Sequence, residues 1–75
     1  MIRAGKSVEA VVSLKKAISI APDNALARFD LAVTLDDLEL HRQALEEYRQ
    51  FMTVGAAYPE QTKYAEKRIA ELFGH

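Results

Sequence analysis

The segment AVVSLKKAI at residues 10–18 and the segment ALEEYRQFM at residues 44–52 share one spacing of apolar side chains. In both segments the apolar residues stand at i, i+4, i+7 and i+8, which is one face of an α-helix. A 34-residue shift superimposes the first segment on the second. The pairs matched by this shift are Ala10 with Ala44, Leu14 with Tyr48, Ala17 with Phe51, and Ile18 with Met52. This pattern predicts two equivalent helices and therefore an internal repeat.

The rest of the chain extends this pattern to an all-α fold of four helices, predicted at residues 7–20, 25–38, 42–54 and 59–73. Ser7 is expected to cap the first helix, and Asp23 or Asn24 to cap the second. Pro22 cannot continue a helix, whereas a proline at residue 59 suits a first helical position. Gly55 is expected in the left-handed conformation that often follows a helix.

The repeat length and several side chains together resemble the tetratricopeptide-repeat family, whose unit is a helix–turn–helix of about 34 residues. Ala10 and Ala44 match the small residue at the helix crossing, and Tyr48 matches the family's aromatic residue. The remaining matches are Gly5 (turn glycine), Ala17 (second small residue), Ala21-Pro22-Asp23-Asn24 (link between repeats), Leu31-Ala32 with Leu35, and Ile69-Ala70 with Phe73. The resemblance implies antiparallel helical hairpins stacked into a superhelix.

Four features depart from the family pattern. Arg28 replaces the large aromatic residue of the first helix, although Phe29 is adjacent, and Glu39 replaces the turn glycine. The link at residues 54–59 is predicted to be longer than the first link. Pro22 precedes Leu31 by nine residues and Pro59 precedes Ile69 by ten, which leaves the register of the third repeat open by one residue.

Residues 1–75 are expected to form a single domain made of a half repeat at residues 5–22, a full repeat at 23–56 and a closing helix at 59–73. In this register the first helix of the first repeat is missing. The first predicted helix would then expose an apolar side. We therefore expect a homodimer, or a fragment of a larger repeat protein, with self-association through Val8, Val11, Val12 and Leu14.

The family resemblance implies a concave groove lined by the first helix of each repeat. In this chain the groove residues would be Leu26, Phe29, Asp30, Val33, Asp36 and Asp37, with Lys63, Glu66, Lys67 and Ala70 as looser candidates. These side chains combine apolar groups with acids, which suits a peptide carrying apolar and basic residues. Some family members clamp an acidic peptide terminus with Lys, Asn and Arg. Asp30 occupies the asparagine position, so no binding of that kind is expected. Phe29 could instead fill the core beside Arg28.

Composition and motifs indicate no catalytic, metal-binding or cofactor-binding site. The chain has no cysteine, its net charge is −1, and no apolar run is long enough to span a membrane. His41 and His75 are too isolated for a metal site, and Asp36, Asp37 and Glu39 lack the spacing of a calcium loop. No catalytic constellation, metal or cofactor is therefore predicted. The N-terminal residues lack the apolar stretch of a signal peptide, so a cytoplasmic location is expected.

Charge is unevenly distributed along the chain. Residues 1–22 carry four bases and one acid, residues 23–47 carry two bases and seven acids, and residues 48–75 carry four bases and three acids. The acidic middle coincides with the predicted groove helix. The favoured function is a scaffold that binds a peptide in the groove. The alternatives are a self-assembly module without another ligand and, more remotely, a helix-turn-helix nucleic-acid binder, although the short basic pairs Lys15-Lys16 and Lys67-Arg68 do not make a recognition helix.

Overall fold

Four α-helices make up the computed structural model, which describes residues 4–74 and the side chains from Val8 to Gly74. Helix α1 spans Ala4–Ile20, α2 spans Ala25–Asp37, α3 spans His41–Val54 and α4 spans Pro59–Phe73. The prediction of an all-α fold with about four helices is confirmed. Helix α2 packs on both α1 and α3, and α3 packs on both α2 and α4.

The helices form two layers. The molecule measures 33 × 31 × 18 Å, and its smallest dimension fits two helices of about 10 Å diameter. Phe29 on α2 contacts Tyr64 on α4, while Lys15 on α1 and Arg42 on α3 line a common cleft. One layer therefore contains α2 and α4, and the other contains α1 and α3.

The core lies between the two layers and is centred on α2 and α3. Tyr48, Phe51, Leu31 and Leu35 are its largest fully buried side chains. Alanines fill the positions where helix backbones approach closely, and Ala32, Ala44 and Ala65 have no exposed surface. Because interhelical distance depends on the side chains at the contact, alanine at these three positions permits close packing.

The link between α1 and α2 and the link between α3 and α4 have the same length. They occupy residues 21–24 and 55–58, so the 34-residue shift also superimposes the two links. In the first link the backbone N–H of Asn24 donates to the Ala21 carbonyl at 3.0 Å. In the second link the backbone N–H of Tyr58 donates to the Gly55 carbonyl at 2.9 Å. The prediction of a longer second link was therefore wrong, because Pro59 is the first residue of α4 and not part of the link.

This equal length also fixes the register of α4. The same shift applied to α2 matches the buried Leu31 with the buried Ala65, and Leu35 with Ile69. The predicted match of Ile69-Ala70 with Leu31-Ala32 was therefore wrong by four residues, or one helical turn. The error arose because Pro22 and Pro59 were treated as equivalent, although Pro22 lies inside a link and Pro59 inside a helix.

Two predictions at the start of α1 were also wrong. The helix already includes Ala4, the first described residue, so Ser7 lies within it and is not its N-cap, and Gly5 is helical and does not form a turn. A glycine inside a helix costs only about 1 kcal/mol relative to alanine, and residues 4–6 include no proline that would stop the helix. The cap predicted for α2 is present, since the Asn24 side chain accepts from the Ala27 amide at 3.1 Å.

Gly55 does not have the left-handed conformation that was predicted. Its φ is −98°, which other residues adopt readily. The ring of Phe51 explains why glycine stands here, because a Cβ at residue 55 would lie 2.5 Å from the Phe51 Cζ. The requirement at this position is space for a ring and not an unusual backbone angle.

Candidate functional site

The six residues predicted to line a groove lie on one side of α2. Their spacing of i, i+3, i+4, i+7, i+10 and i+11 is that of a single helix face. Leu26, Asp30 and Asp37 are exposed on this face. Phe29 and Val33 are half-buried and pack against the core. The face therefore has an apolar floor on the side of the core and an acidic, exposed rim.

An aromatic cluster forms the floor of this face between α2 and α4. The Phe29 ring lies 5.3 Å from the Phe51 ring, 6.3 Å from the Tyr48 ring and 5.7 Å from the Tyr64 ring, measured between centroids. Its tilted and edge-on geometries are those that aromatic pairs favour. Phe29 thus contributes to the core, as one of the two predictions for it stated, and keeps part of its ring on the face.

Tyr64 is a surface residue of this cluster that the sequence analysis missed. Its side chain is 43% exposed, although its ring packs edge-on against Phe29 and Tyr48. In the sequence, Tyr64 stands one position before the apolar series Ala65, Ile69 and Leu72, so the helical spacing alone places it outside the buried stripe. A half-exposed aromatic ring held by two others is an ordered apolar contact point for a ligand.

Asp36 joins three helices and offers little free charge to a ligand. Its carboxylate accepts from the Arg68 Nε and Nη2 atoms of α4, both at 2.7 Å, and from the Tyr48 hydroxyl of α3 at 3.1 Å. Arg68 also donates to Glu71 at 2.6 Å. Asp36 was predicted as a groove residue, and the structure places it on the predicted face but in a bidentate ion pair.

The protonation of this network follows from its contacts. Burial opposes the ionisation of Asp36, but the hydrogen bonds from Arg68 and Tyr48 outweigh it and hold the pKa of the carboxyl below its usual value. Burial and then the neighbouring carboxylate raise the pKa of Tyr48 far above its ordinary value. The hydrogen bonds to Asp36 raise the pKa of Arg68. All three groups therefore keep their usual charge states at neutral pH.

The looser candidates on α4 lie on its exposed surface. Lys63, Glu66, Lys67 and Ala70 are all exposed. Because α2 and α4 share a layer, acids of α2 and lysines of α4 contribute to the same side of the molecule. Among the described side chains, neither Asp30 nor Asp37 takes part in an ion pair.

The residues predicted for self-association divide into two groups. Val11 and Leu14 are partly buried and pack against the core, so only part of their surface is exposed, and their role in self-association stays a prediction. Val8 and Val12 are 52% and 64% exposed. The helical spacing explains this division, since residues 11, 14 and 18 share the inner face of α1, whereas residues 8 and 12 lie one turn apart on another face.

A polar cleft separates α1 from α3 and contains one poorly compensated carboxylate oxygen. Its lining consists of Lys15, Leu35, Arg42, Gln43, Glu46 and Glu47. The Glu47 Oε1 atom is buried without a hydrogen-bond partner, and the nearest cation, the Arg28 Nη1 atom, lies 3.8 Å away. Burial raises the pKa of Glu47, and Arg28 opposes this effect. Lys15 lines the same cleft and also attracts the Glu47 charge, so the two cations together offset part of the cost of burying this carboxylate.

Two classes of site are absent from the described part of the chain. Within residues 4–74, no three or more His, Asp or Glu side chains are grouped so that they could hold a metal ion. None of the four helices is both long and apolar enough to cross a membrane. His75, one of the two histidines considered above, lies outside the described residues.

No protein-family model matches the chain, and comparisons with curated proteins and with solved structures give no match either. The function proposed below therefore rests on the residues of this chain alone.

Proposed function

We propose that this chain is a protein-interaction scaffold of the tetratricopeptide-repeat type, which binds a peptide segment across the face formed by α2 and α4. The observation that carries the proposal is the aromatic floor of that face, where Tyr64 remains 43% exposed while packed on Phe29 and Tyr48. An aromatic ring fixed in this way loses little side-chain entropy when it contacts a ligand. Rigid aromatic side chains are the commonest anchors of binding surfaces.

The repetition of the links supports the proposed family. The 34-residue shift carries the end of α1 onto the end of α3 and the start of α2 onto the start of α4, and the backbone bond within each link, from Asn24 to Ala21 and from Tyr58 to Gly55, is equivalent. This period agrees with the length of one tetratricopeptide unit. In such an array, α2 and α4 would be the first helices of successive repeats, which form the groove.

The rim of the face favours a ligand with basic side chains. Asp30 and Asp37 are exposed on α2, and Leu26, one turn before Asp30, is 40% exposed. The peptide would place an apolar side chain against Tyr64 and Leu26, and Lys or Arg side chains beside the two acids. We assign the protein no reaction, cofactor, nucleic-acid ligand or membrane attachment, and we place it in the cytoplasm.

Selection from a random peptide library on the immobilised full chain tests this proposal. We expect enrichment of peptides that combine Lys or Arg with large apolar residues. The variant D30K/D37K should bind the selected peptides at least about tenfold more weakly, because two attractive pairs become repulsive. Y64A should also lose affinity, since it removes the apolar contact.

The matched control is E9K/E46K, which makes the same charge change at two exposed acids of the other layer. It should bind the peptides like the unchanged chain. Equal binding by D30K/D37K and by the control would contradict the proposed face. Circular dichroism of every variant checks that the helices are retained.

A further inference from the structure

The repeat places four α4 side chains beside the predicted groove residues of α2. The 34-residue shift that superimposes the two links also carries α2 onto α4. The matched pairs are Leu26 with Glu60, Asp30 with Tyr64, Val33 with Lys67, and Asp37 with Glu71. The four α4 residues, here named the α4 row, are all exposed. Their spacing of i, i+4, i+7 and i+11 is that of one helix face.

Contacts between α2 and α4 show that the α4 row borders the proposed peptide face. The Tyr64 ring lies 5.7 Å from the Phe29 ring. The Arg68 guanidinium donates both to Asp36 on α2 and to Glu71 in the row. The two helices contact each other in the same residue order, so α2 and α4 run in the same direction. Residues matched by the shift therefore lie at similar levels along the two helices.

The charge along this face changes sign twice. From the N-terminal to the C-terminal ends of the two helices, the charged residues are Glu60 and Asp30, then Lys67, then Asp37 and Glu71. Among the described side chains, neither Glu60 nor Lys67 takes part in an ion pair. Glu71 lies one turn after Lys67, but its carboxylate binds Arg68 at 2.6 Å. Lys67 is therefore an unpaired cation between acidic residues.

We infer that Lys67 is a specificity-determining residue, which selects peptides with an acidic side chain between two basic ones. The inference rests on the proposed function and adds one feature to its ligand. Asp30 and Asp37 are seven residues apart, or about 10 Å along α2, and an extended segment of about four residues covers this distance. Such a segment places basic side chains beside the two aspartates and an acidic one beside Lys67. A basic side chain in the middle position is repelled, which excludes uniformly basic peptides.

Peptide selection on K67E, compared with selection on the unchanged chain, tests this inference. We expect the unchanged chain to enrich peptides with Asp or Glu between two basic residues, and K67E to enrich Lys or Arg in the middle position. A peptide selected on the unchanged chain should bind K67E at least about fivefold more weakly. Exchanging the acidic residue of that peptide for lysine should restore its binding to K67E. K67Q removes the charge with a good helix former and gives the same readout should K67E lose its helices.

The matched control is K63E, which makes the same charge change one turn earlier on α4. Lys63 is also exposed, but the shift matches it with Phe29, so it lies outside the α4 row. K63E should select the same peptides as the unchanged chain. Selected peptides that carry basic residues without a central acid, or equal selection by K67E and K63E, would overturn the inference and leave the proposed function standing. A library that yields no binding peptide at all would contradict both.

Discussion

At the scale of single residues, the two copies of the repeat have side chains of different size at equivalent positions. Phe51 and Gly55 on one side of the 34-residue shift correspond to Ala17 and Ala21 on the other. The Phe51 ring fills the core and occupies the space that a Cβ at residue 55 would need. Ala17 has no ring, so this clash cannot arise with the alanine at residue 21. The two pairs therefore occupy equivalent positions at the ends of α3 and α1 with side chains of different volume.

We therefore expect G55A to destabilise the protein by about 1–3 kcal/mol, the usual cost of forcing extra volume into a packed core. Chemical denaturation measures this change. The same substitution on an F51L background should cost much less, because the smaller side chain removes the clash. Equal costs on the two backgrounds would show that Gly55 is needed for a reason other than the Phe51 ring.

At the scale of elements, a glutamate in the turn between α2 and α3 has the left-handed backbone conformation that is usual for glycine. Glu39 has φ of +62°, and it is the only non-glycine residue with positive φ among the described residues. The Leu40 amide donates to the Leu35 carbonyl at 3.0 Å, and the Glu39 amide donates to the Asp36 carbonyl at 2.9 Å. This pair of bonds defines a Schellman motif, whose left-handed residue is usually glycine.

E39G should stabilise the protein by about 1 kcal/mol, because it removes the left-handed strain of a residue with a Cβ. Thermal and chemical denaturation would show the increase. D37G, at the last residue of α2, supplies the contrast: glycine there should destabilise the helix, since that position is helical. Destabilisation by E39G would mean that the glutamate side chain contributes a contact that outweighs the backbone strain.

At the scale of the whole molecule, one carboxylate ties three helices together. Asp36 on α2 binds Arg68 on α4 and Tyr48 on α3, and its side chain is only 9% exposed. Such a charge-assisted network stabilises a particular stacking of helices, because each partner depends on the position of the other two. Arg68 lies far from Asp36 along the chain, so only the stacking of α4 beside α2 brings them together.

D36N should destabilise the protein by about 1–2 kcal/mol at pH 7, since it removes the bidentate, less exposed carboxylate partner of Arg68 and leaves only the exposed Glu71. The pKa of Asp36 is lowered in the folded state, so the ion pair contributes fully above the ordinary carboxyl pKa and is lost as the pH falls through the folded value. The difference between D36N and the unchanged chain should therefore shrink below about pH 4. Urea denaturation at several pH values measures it.

D37N is the matched control, because Asp37 is adjacent but exposed. It should change stability by less than about 0.5 kcal/mol at any pH. A similar loss in both variants would indicate a general effect of acidic charge on α2 and would contradict the special role of the Asp36 network.

The four helices, the 34-residue shift and the residues that share one face of α2 could be predicted from the sequence, because each depends on local rules. Helical spacing predicts which side chains share a face, and Pro22, Asn24 and Pro59 act through their own backbone or side chain. The predicted start of α1 at Ser7 was wrong because none of residues 4–6 has a local effect strong enough to end a helix.

Which residues of these faces contact another helix depends on tertiary packing. Spacing within one helix does not show that Arg68 reaches Asp36, that Tyr64 lies over Phe29, or that Gly55 makes room for Phe51, because each contact depends on the distance between helices. The same reason explains why Val11 and Leu14 are partly buried while Val8 and Val12 are exposed: burial is decided by the neighbouring helix and not by the side chain's own hydrophobicity.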